Sequence, residues 1–201
     1  MTPGPLPLLD RVAGSLAERV RWWMALAGLV VFAVFIAVVL PAQAATGSFY
    51  TSLSPAPDTE RWYAPADLYA AAEAWGEAGR SAYVRARVTF DVVWPLAYGI
   101  FLLTGLSWLW ALATSPGGRW RRIALLPILV VLLDYAENIC TATVVARYPA
   151  RTPVLADLAP VFTAAKWLTL TARSTKQAVS VSHFAAVKTG ARSASTGVRA
   201  G

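Results

Sequence analysis

The sequence predicts an all-α membrane protein: a four-transmembrane-helix bundle with a short extracytoplasmic interfacial helix. Two observations support this fold class. Of the 201 residues, 57% are hydrophobic and only 14% are charged, whereas an ordinary soluble domain carries about 25% charged residues. The charged residues also collect between long apolar runs. Runs of this length are typical of helices that cross a lipid bilayer.

The first predicted span covers residues 22–41, with 17 uncharged residues from Met24 to Leu40. At 1.5 Å per residue, the span is long enough to cross a hydrocarbon core of roughly 30 Å. Ala42-Gln43-Ala44 follows at once and matches the small-x-small pattern of a signal-peptidase site. A retained helix and a cleaved signal both remain open, and the length of the apolar run favours the retained helix.

Residues 42–87 form the longest polar stretch, which we predict to be an extracytoplasmic loop. Within it, Pro65 precedes a predicted short helix over residues 66–75, with Leu68, Ala71, Ala72 and Trp75 on one face. Gly76 and Gly79 are expected to end this helix. Its single apolar face predicts that it lies on the membrane surface or caps the bundle.

Three further spans are predicted at residues 88–114, 123–145 and 153–172, so that residues 1–172 form one membrane domain. The remaining segment, residues 173–201, changes character. It is rich in small polar residues and holds five basic residues and no acidic one. This composition predicts a basic, disordered tail.

The distribution of Lys and Arg predicts the orientation of the spans. Eleven basic residues fall on the side that holds the N-terminal segment, the loop between spans two and three, and the tail. An excess of basic residues marks the cytoplasmic side. Five tryptophans are expected at the same interface: Trp22, Trp23, Trp108, Trp110 and Trp120. We therefore expect a multi-pass protein of a cell inner (plasma) membrane, with both termini cytoplasmic.

Polar residues inside the predicted spans form the candidate functional site. They are Asp91 in span two, Asp134, Glu137 and Asn138 in span three, and Lys166 in span four. Ionisable groups in lipid are costly, so they face other helices or water and find partners.

Helical spacing and expected depth bring these residues together. The three polar residues of span three share one helix face with Thr141, because they follow the i, i+3, i+4, i+7 pattern. We expect Lys166 to pair with Asp134 or Glu137, and Arg85 and Arg87 together to neutralise Asp91. A carboxyl group left without such a partner would favour its protonated form.

Several functional classes find no support in the sequence. The basic residues flank hydrophobic spans and form no stripe on a polar helix face, so nucleic acid is not an expected partner. One cysteine, Cys140, and one histidine, His183, leave no disulfide and no His-rich metal site. No phosphate-binding, dinucleotide-binding or zinc motif occurs. We therefore assign no catalytic residue, metal or cofactor.

Three functions remain possible for the polar cluster. It can fix helix packing in a structural or accessory membrane subunit, because polar side chains join helices in lipid. It can serve a small proton- or ion-coupled transporter or channel, or, with least support, an intramembrane enzyme. The expected partners are the lipid bilayer and a second copy or another membrane protein.

Four segments together resemble a widespread group of small bacterial four-helix integral membrane proteins whose function is unknown. They are Gly-Glu-Ala-Gly-Arg-Ser-Ala-Tyr at 76–83, Asp-Val-Val-Trp-Pro-Leu-Ala-Tyr at 91–98, Asp-Tyr-Ala-Glu-Asn at 134–138 and Phe-Thr-Ala-Ala-Lys-Trp at 162–167. The second and third contain the D-x-x-x-P-L-x-Y and D-x-x-E-N patterns, and the resemblance covers roughly residues 60–170. It implies a bacterial inner-membrane protein of four helices and brings no activity.

Overall fold

The computed structural model describes residues 7–113 and 119–171, and within these ranges the chain is helical with no strand. The helices are α1 (Pro7–Arg19), α2 (Trp22–Thr51), α3 (Pro65–Ala74), α4 (Gly76–Val88), α5 (Phe90–Ala113), α6 (Leu126–Arg147) and α7 (Pro153–Thr171). Short 3-10 turns occupy Pro57–Thr59 and Arg119–Leu125. Residues 52–64, between α2 and α3, are called the connecting segment below.

Four helical segments are long and apolar enough to cross a membrane. They are Trp22–Thr51, Gly76–Ala113, Arg122–Arg147 and Pro153–Thr171. Their outward sides carry many exposed large apolar side chains, such as Val30, Leu96 and Leu132. Such a surface requires lipid around it. The predicted all-α fold with four membrane helices is therefore confirmed, and the chain is a multi-pass membrane protein.

The first membrane helix is longer than predicted, because Pro41 does not end it. A proline lacks the N–H of a regular helical bond, yet α2 continues to Thr51. The residues before Pro41, Phe35–Val39, form a π-helical segment in which the Leu40 N–H bonds the Phe35 carbonyl, five residues back. This local shift of the hydrogen bonds carries the helix past the proline. The Ala42–Ala44 pattern consequently lies inside the helix.

The predicted loop over residues 42–87 is also largely helical. The chain changes direction between α3 and α4 at Gly76, the first residue of α4, which has a φ of +62°, a conformation that glycine adopts readily. Gly79 was predicted to end the short helix, but it lies inside α4. A Cβ atom there would fall 2.7 Å from Trp75 Cβ and 2.8 Å from Tyr50 Cβ. Gly79 is thus required for close packing of helices and not for a turn.

The short helix α3 packs into the protein through the face predicted for it. Leu68 and Ala72 are fully buried and Trp75, just after the helix, is 3% exposed. The Trp75 ring contacts Tyr50 of α2 and Tyr83 of α4, and its indole N–H donates to the Ser54 carbonyl at 2.7 Å. These residues form an aromatic core, and this burial fits the expected cap over the bundle.

Helices α2 and α5 approach closely at Gly28. A Cβ atom at this position would lie 3.0 Å from Thr104 Oγ1 and 3.1 Å from Phe101 Cα. One turn further along, the Phe32 ring stacks on Phe101 with centroids 4.9 Å apart. Among the small residues of the first span, Ala25 and Gly28 are buried, whereas Ala33 and Ala37 are exposed.

We predict that Gly28→Val lowers the thermal midpoint of unfolding in detergent, because its side chain meets the α5 backbone. Overpacking of this kind costs about 1–3 kcal/mol. Gly14→Val is the matched control, since no atom lies within 4 Å of a Cβ at Gly14. Equal midpoints for the two variants would contradict the close contact.

Helix α1 is amphipathic and is joined to the start of the third span by an ion pair. Arg122 donates to both oxygens of the Asp10 carboxylate, at 2.5 Å to Oδ1 and 2.6 Å to Oδ2. This hydrogen bonding lowers the pKa of Asp10 below its ordinary value of 3.8. Nothing in the sequence spacing indicated the contact, because the partners are 112 residues apart.

We predict that Asp10→Asn increases amide hydrogen–deuterium exchange in α1 at neutral pH, because the charge-assisted contact with Arg122 is lost. In the wild-type protein the contact persists on acidification and is lost only as the pH falls below about 4, through the lowered pKa of Asp10. Glu18→Gln, on the same helix and exposed, is the control. Unchanged exchange in Asp10→Asn would show that the ion pair does not hold α1.

Candidate functional site

The predicted polar residues lie at the interior faces of α5, α6 and α7. Asp91, Asp134, Glu137 and Asn138 are 8%, 7%, 1% and 7% exposed, and Lys166 is half-buried. The α6 residues share one buried face because they recur at helical spacing. The structure assembles these residues into two polar groups, each built around one cation.

The first group, named the Lys166 group, joins α5, α6 and α7. The Lys166 ammonium donates to Asp134 Oδ1 at 2.7 Å and to Glu137 Oε2 at 2.5 Å. The Tyr98 hydroxyl of α5 donates to Asp134 Oδ2 at 2.8 Å, and the Thr163 hydroxyl of α7 donates to Glu137 Oε1 at 2.6 Å. Every carboxylate oxygen of the group therefore accepts a hydrogen bond.

The second group, named the Arg87 group, joins α4, the connecting segment, α5 and α6. The Arg87 guanidinium forms ion pairs with Asp58 Oδ2 and with Asp91 Oδ2, the latter at 2.6 Å, and donates to Asn138 Oδ1 at 3.3 Å. The Tyr83 hydroxyl donates to Asp58 Oδ1 at 3.0 Å. The guanidinium also lies 4.4 Å from the centroid of the Tyr83 ring.

The pairing differs in two respects from the sequence-based expectation. Lys166 binds both Asp134 and Glu137, whereas a single partner was expected, because the two carboxylates are one turn apart on the same face. Arg87 binds Asp91 one helical turn away, and Arg85 is exposed. Each cation consequently serves two carboxylates.

Four residues of these groups were missed by sequence reasoning. Helical spacing could have found three of them: Tyr98 lies seven residues after Asp91, Thr163 three before Lys166, and Tyr83 four before Arg87. Asp58 offered no such signal. It lies in a proline-rich segment without helical periodicity and reaches the site only through the folding of the connecting segment.

The charges of the two groups do not balance. Among the residues that the structure describes, four carboxylates, Asp58, Asp91, Asp134 and Glu137, form ion pairs with two cations. One further polar group lies beside them. The Tyr63 hydroxyl is near Thr163 and Glu137 but forms no hydrogen bond with the residues that the structure describes. Burial raises the pKa of Tyr63 above its ordinary value, so the hydroxyl keeps its proton.

The chemistry available to this arrangement is the binding of protons and the joining of helices. Among the described residues, no set of His, Cys, Asp and Glu side chains is arranged to hold a metal ion. The one cysteine, Cys140, packs among apolar residues of the buried core and is 5% exposed.

The chain matches no family model, no curated protein and no solved structure. The resemblance noted from the sequence therefore stays a prediction, and the geometry above carries the functional argument.

We predict that Arg87→Met strongly destabilises the protein, because it leaves Asp58 and Asp91 buried without a cation. Breaking a buried ion pair by removing one partner costs about 3–5 kcal/mol. Arg85→Met, two residues away and exposed, should change stability by no more than about 0.5 kcal/mol. Thermal unfolding in detergent measures both, and similar midpoints would show that the Arg87 group does not hold the fold.

Proposed function

We propose that this chain is a structural or accessory membrane protein whose buried polar groups fix the packing of its helices. The observation that supports this proposal is that every ion pair of the two groups joins different elements or neighbouring helices. Lys166 joins α7 to α6, Tyr98 joins α5 to α6, and Arg87 joins α4 to the connecting segment, α5 and α6.

Polar contacts suit this role because lipid supplies little hydrophobic driving force between helices. Association there depends on close packing and on interhelical polar contacts, each about 0.6–2 kcal/mol. The Lys166 group has no unbonded carboxylate oxygen, and Glu137 is 1% exposed. A closed group of this kind fits a packing role better than an open ion path.

The proposed location is a bacterial inner membrane, with both termini in the cytoplasm. The support comes from the basic residues near the start of α1 and α2, the exposed Trp22 and Trp23 at the first residues of α2, and the resemblance noted from the sequence. The lipid bilayer is the first partner. A second copy or another membrane protein is proposed as the partner that an accessory subunit would serve.

A second candidate function is that of a small proton- or ion-coupled transporter or channel. The observation that favours it is the excess of carboxylates over cations in the two groups. Buried carboxylates without a matching cation are typical of proton relays in membrane proteins.

The packing role is tested by removing charges from the Lys166 group stepwise. We predict that Lys166→Met lowers the unfolding midpoint in lipid or detergent, because Asp134 and Glu137 then face each other without a cation. Adding Glu137→Gln should restore part of the loss. Adding Asp134→Asn as well should restore most of it, because the group is then neutral.

Asp157→Asn is the control for these changes, since Asp157 is exposed on α7. If Lys166→Met has the same unfolding midpoint as the wild-type protein, the packing proposal is wrong and the transport function is favoured. Proteoliposomes with a pH-sensitive dye inside would then show whether an imposed potential drives proton entry, and whether Asp134→Asn or Glu137→Gln stops it.

A further inference from the structure

The two polar groups carry excess negative charge when all their carboxyl groups are ionised. With every side chain ionised, each group holds one cation and two carboxylates. A buried charge without a partner is costly, and an acidic group in this position takes up a proton instead. The proton is also the smallest such ligand, and it fits a site in which the helices are already in contact.

The hydrogen bonds single out Asp91 among the four carboxylates. Asp58, Asp134 and Glu137 each accept hydrogen bonds or ion pairs on both oxygens. Asp91 accepts on Oδ2 alone, from Arg87 Nη1. Among the described residues, nothing donates to Asp91 Oδ1, so this oxygen can carry a proton without displacing a partner.

Charged groups approach Asp91 from each neighbouring element. They are Arg87 of α4, Asp58 of the connecting segment, Asp134 of α6 and Lys166 of α7, and on α2 the Tyr50 phenol is within the electrostatic influence of Asp91. The cations are each bound to other carboxylates: Arg87 to Asp58, and Lys166 to Asp134 and Glu137. Asp91 therefore shares Arg87 with Asp58, and it lacks the hydrogen bond on its second oxygen that Asp58 accepts from Tyr83.

A second, independent feature points to a ligand between the two groups. Tyr63 is only 4% exposed, and its hydroxyl lies near Thr163 and within the electrostatic influence of Glu137, Asp58 and Arg87. It has no hydrogen-bond partner among the described residues. An unpaired buried hydroxyl costs about 1–3 kcal/mol, so a bound water between the groups fits this position.

We propose that the two polar groups form a proton-binding site in which Asp91 carries the proton and the Tyr63 hydroxyl holds a water between the groups. The proton comes from bulk water and forms an O–H bond on Asp91 Oδ1. Arg87 and Asp58 then compensate each other, so the Arg87 group becomes neutral. The Lys166 group keeps one negative charge, toward which the Tyr63 hydroxyl and its water donate. This inference goes beyond the packing role, which needs only that the groups stay assembled.

Infrared difference spectroscopy of the full chain in lipid vesicles tests the site directly. The wild-type protein should show the C=O band of a protonated carboxyl group, and this band should disappear when the pH is raised. The band should be absent in Asp91→Asn and present in Asp157→Asn. Tyr63→Phe should keep the band but move its midpoint to higher pH, because a donor to the negative charge is lost.

Stability provides a second measurement on the same variants. Asp91→Asn resembles the protonated state, so it should fold as well as the wild-type protein below about pH 4, the ordinary range of an unfolded aspartate, and better at alkaline pH, where ionised Asp91 is destabilising. A wild-type protein without the band, or a band retained in Asp91→Asn, overturns the proposal. A band that responds to Na⁺ at constant pH also overturns it, in favour of a metal-cation site. The unfolding midpoint of Lys166→Met, which tests the packing role, does not depend on these results. The packing proposal and the proton-site proposal can therefore be overturned independently of each other.

Discussion

The ion pairs of Arg87 are the interaction on which the rest of the structure depends. From α4, this single side chain contacts α5, α6 and the connecting segment. In lipid, an unpaired guanidinium would have to reach the membrane surface or water. Because Arg87 is instead paired inside the bundle, Asp58 must be near it, and the connecting segment must fold over the helices to bring Asp58 there.

The aromatic core explains how charges can be buried at this place. Tyr83 donates to Asp58 through its hydroxyl and presents its ring face to Arg87, so one side chain serves both ions. Trp75 stacks on Tyr83 with centroids 4.8 Å apart and fixes the connecting segment through Ser54. The apolar and polar halves of the interior are therefore not separate layers. The Tyr83 ring fills space in the core and also orients two charged partners, Asp58 and Arg87.

The sequence predicted those parts of the molecule that follow from periodicity and length. The polar face of α6 was predictable because Asp134, Glu137 and Asn138 recur at helical spacing, and the spans because apolar runs must match the bilayer. Other features were not predicted from the sequence, and Pro41 and Asp58 show why. Pro41 normally ends a helix, and only a change in backbone hydrogen bonding lets α2 continue. Asp58 joins the site through a contact between residues 29 positions apart, which no local pattern encodes.

The π-helical segment at Phe35–Val39 lies between two contact faces of the first membrane helix, and the number of residues between these faces is fixed. Before it, Gly28 contacts α5, and after it, Tyr50 enters the aromatic core, so the two halves of α2 have different partners. Adding or removing one residue between them would rotate one half by about 100° relative to the other. The exposed side chains of this stretch can therefore vary in identity, provided they stay apolar. The number of residues cannot vary, because it sets the relative rotation of two contact faces.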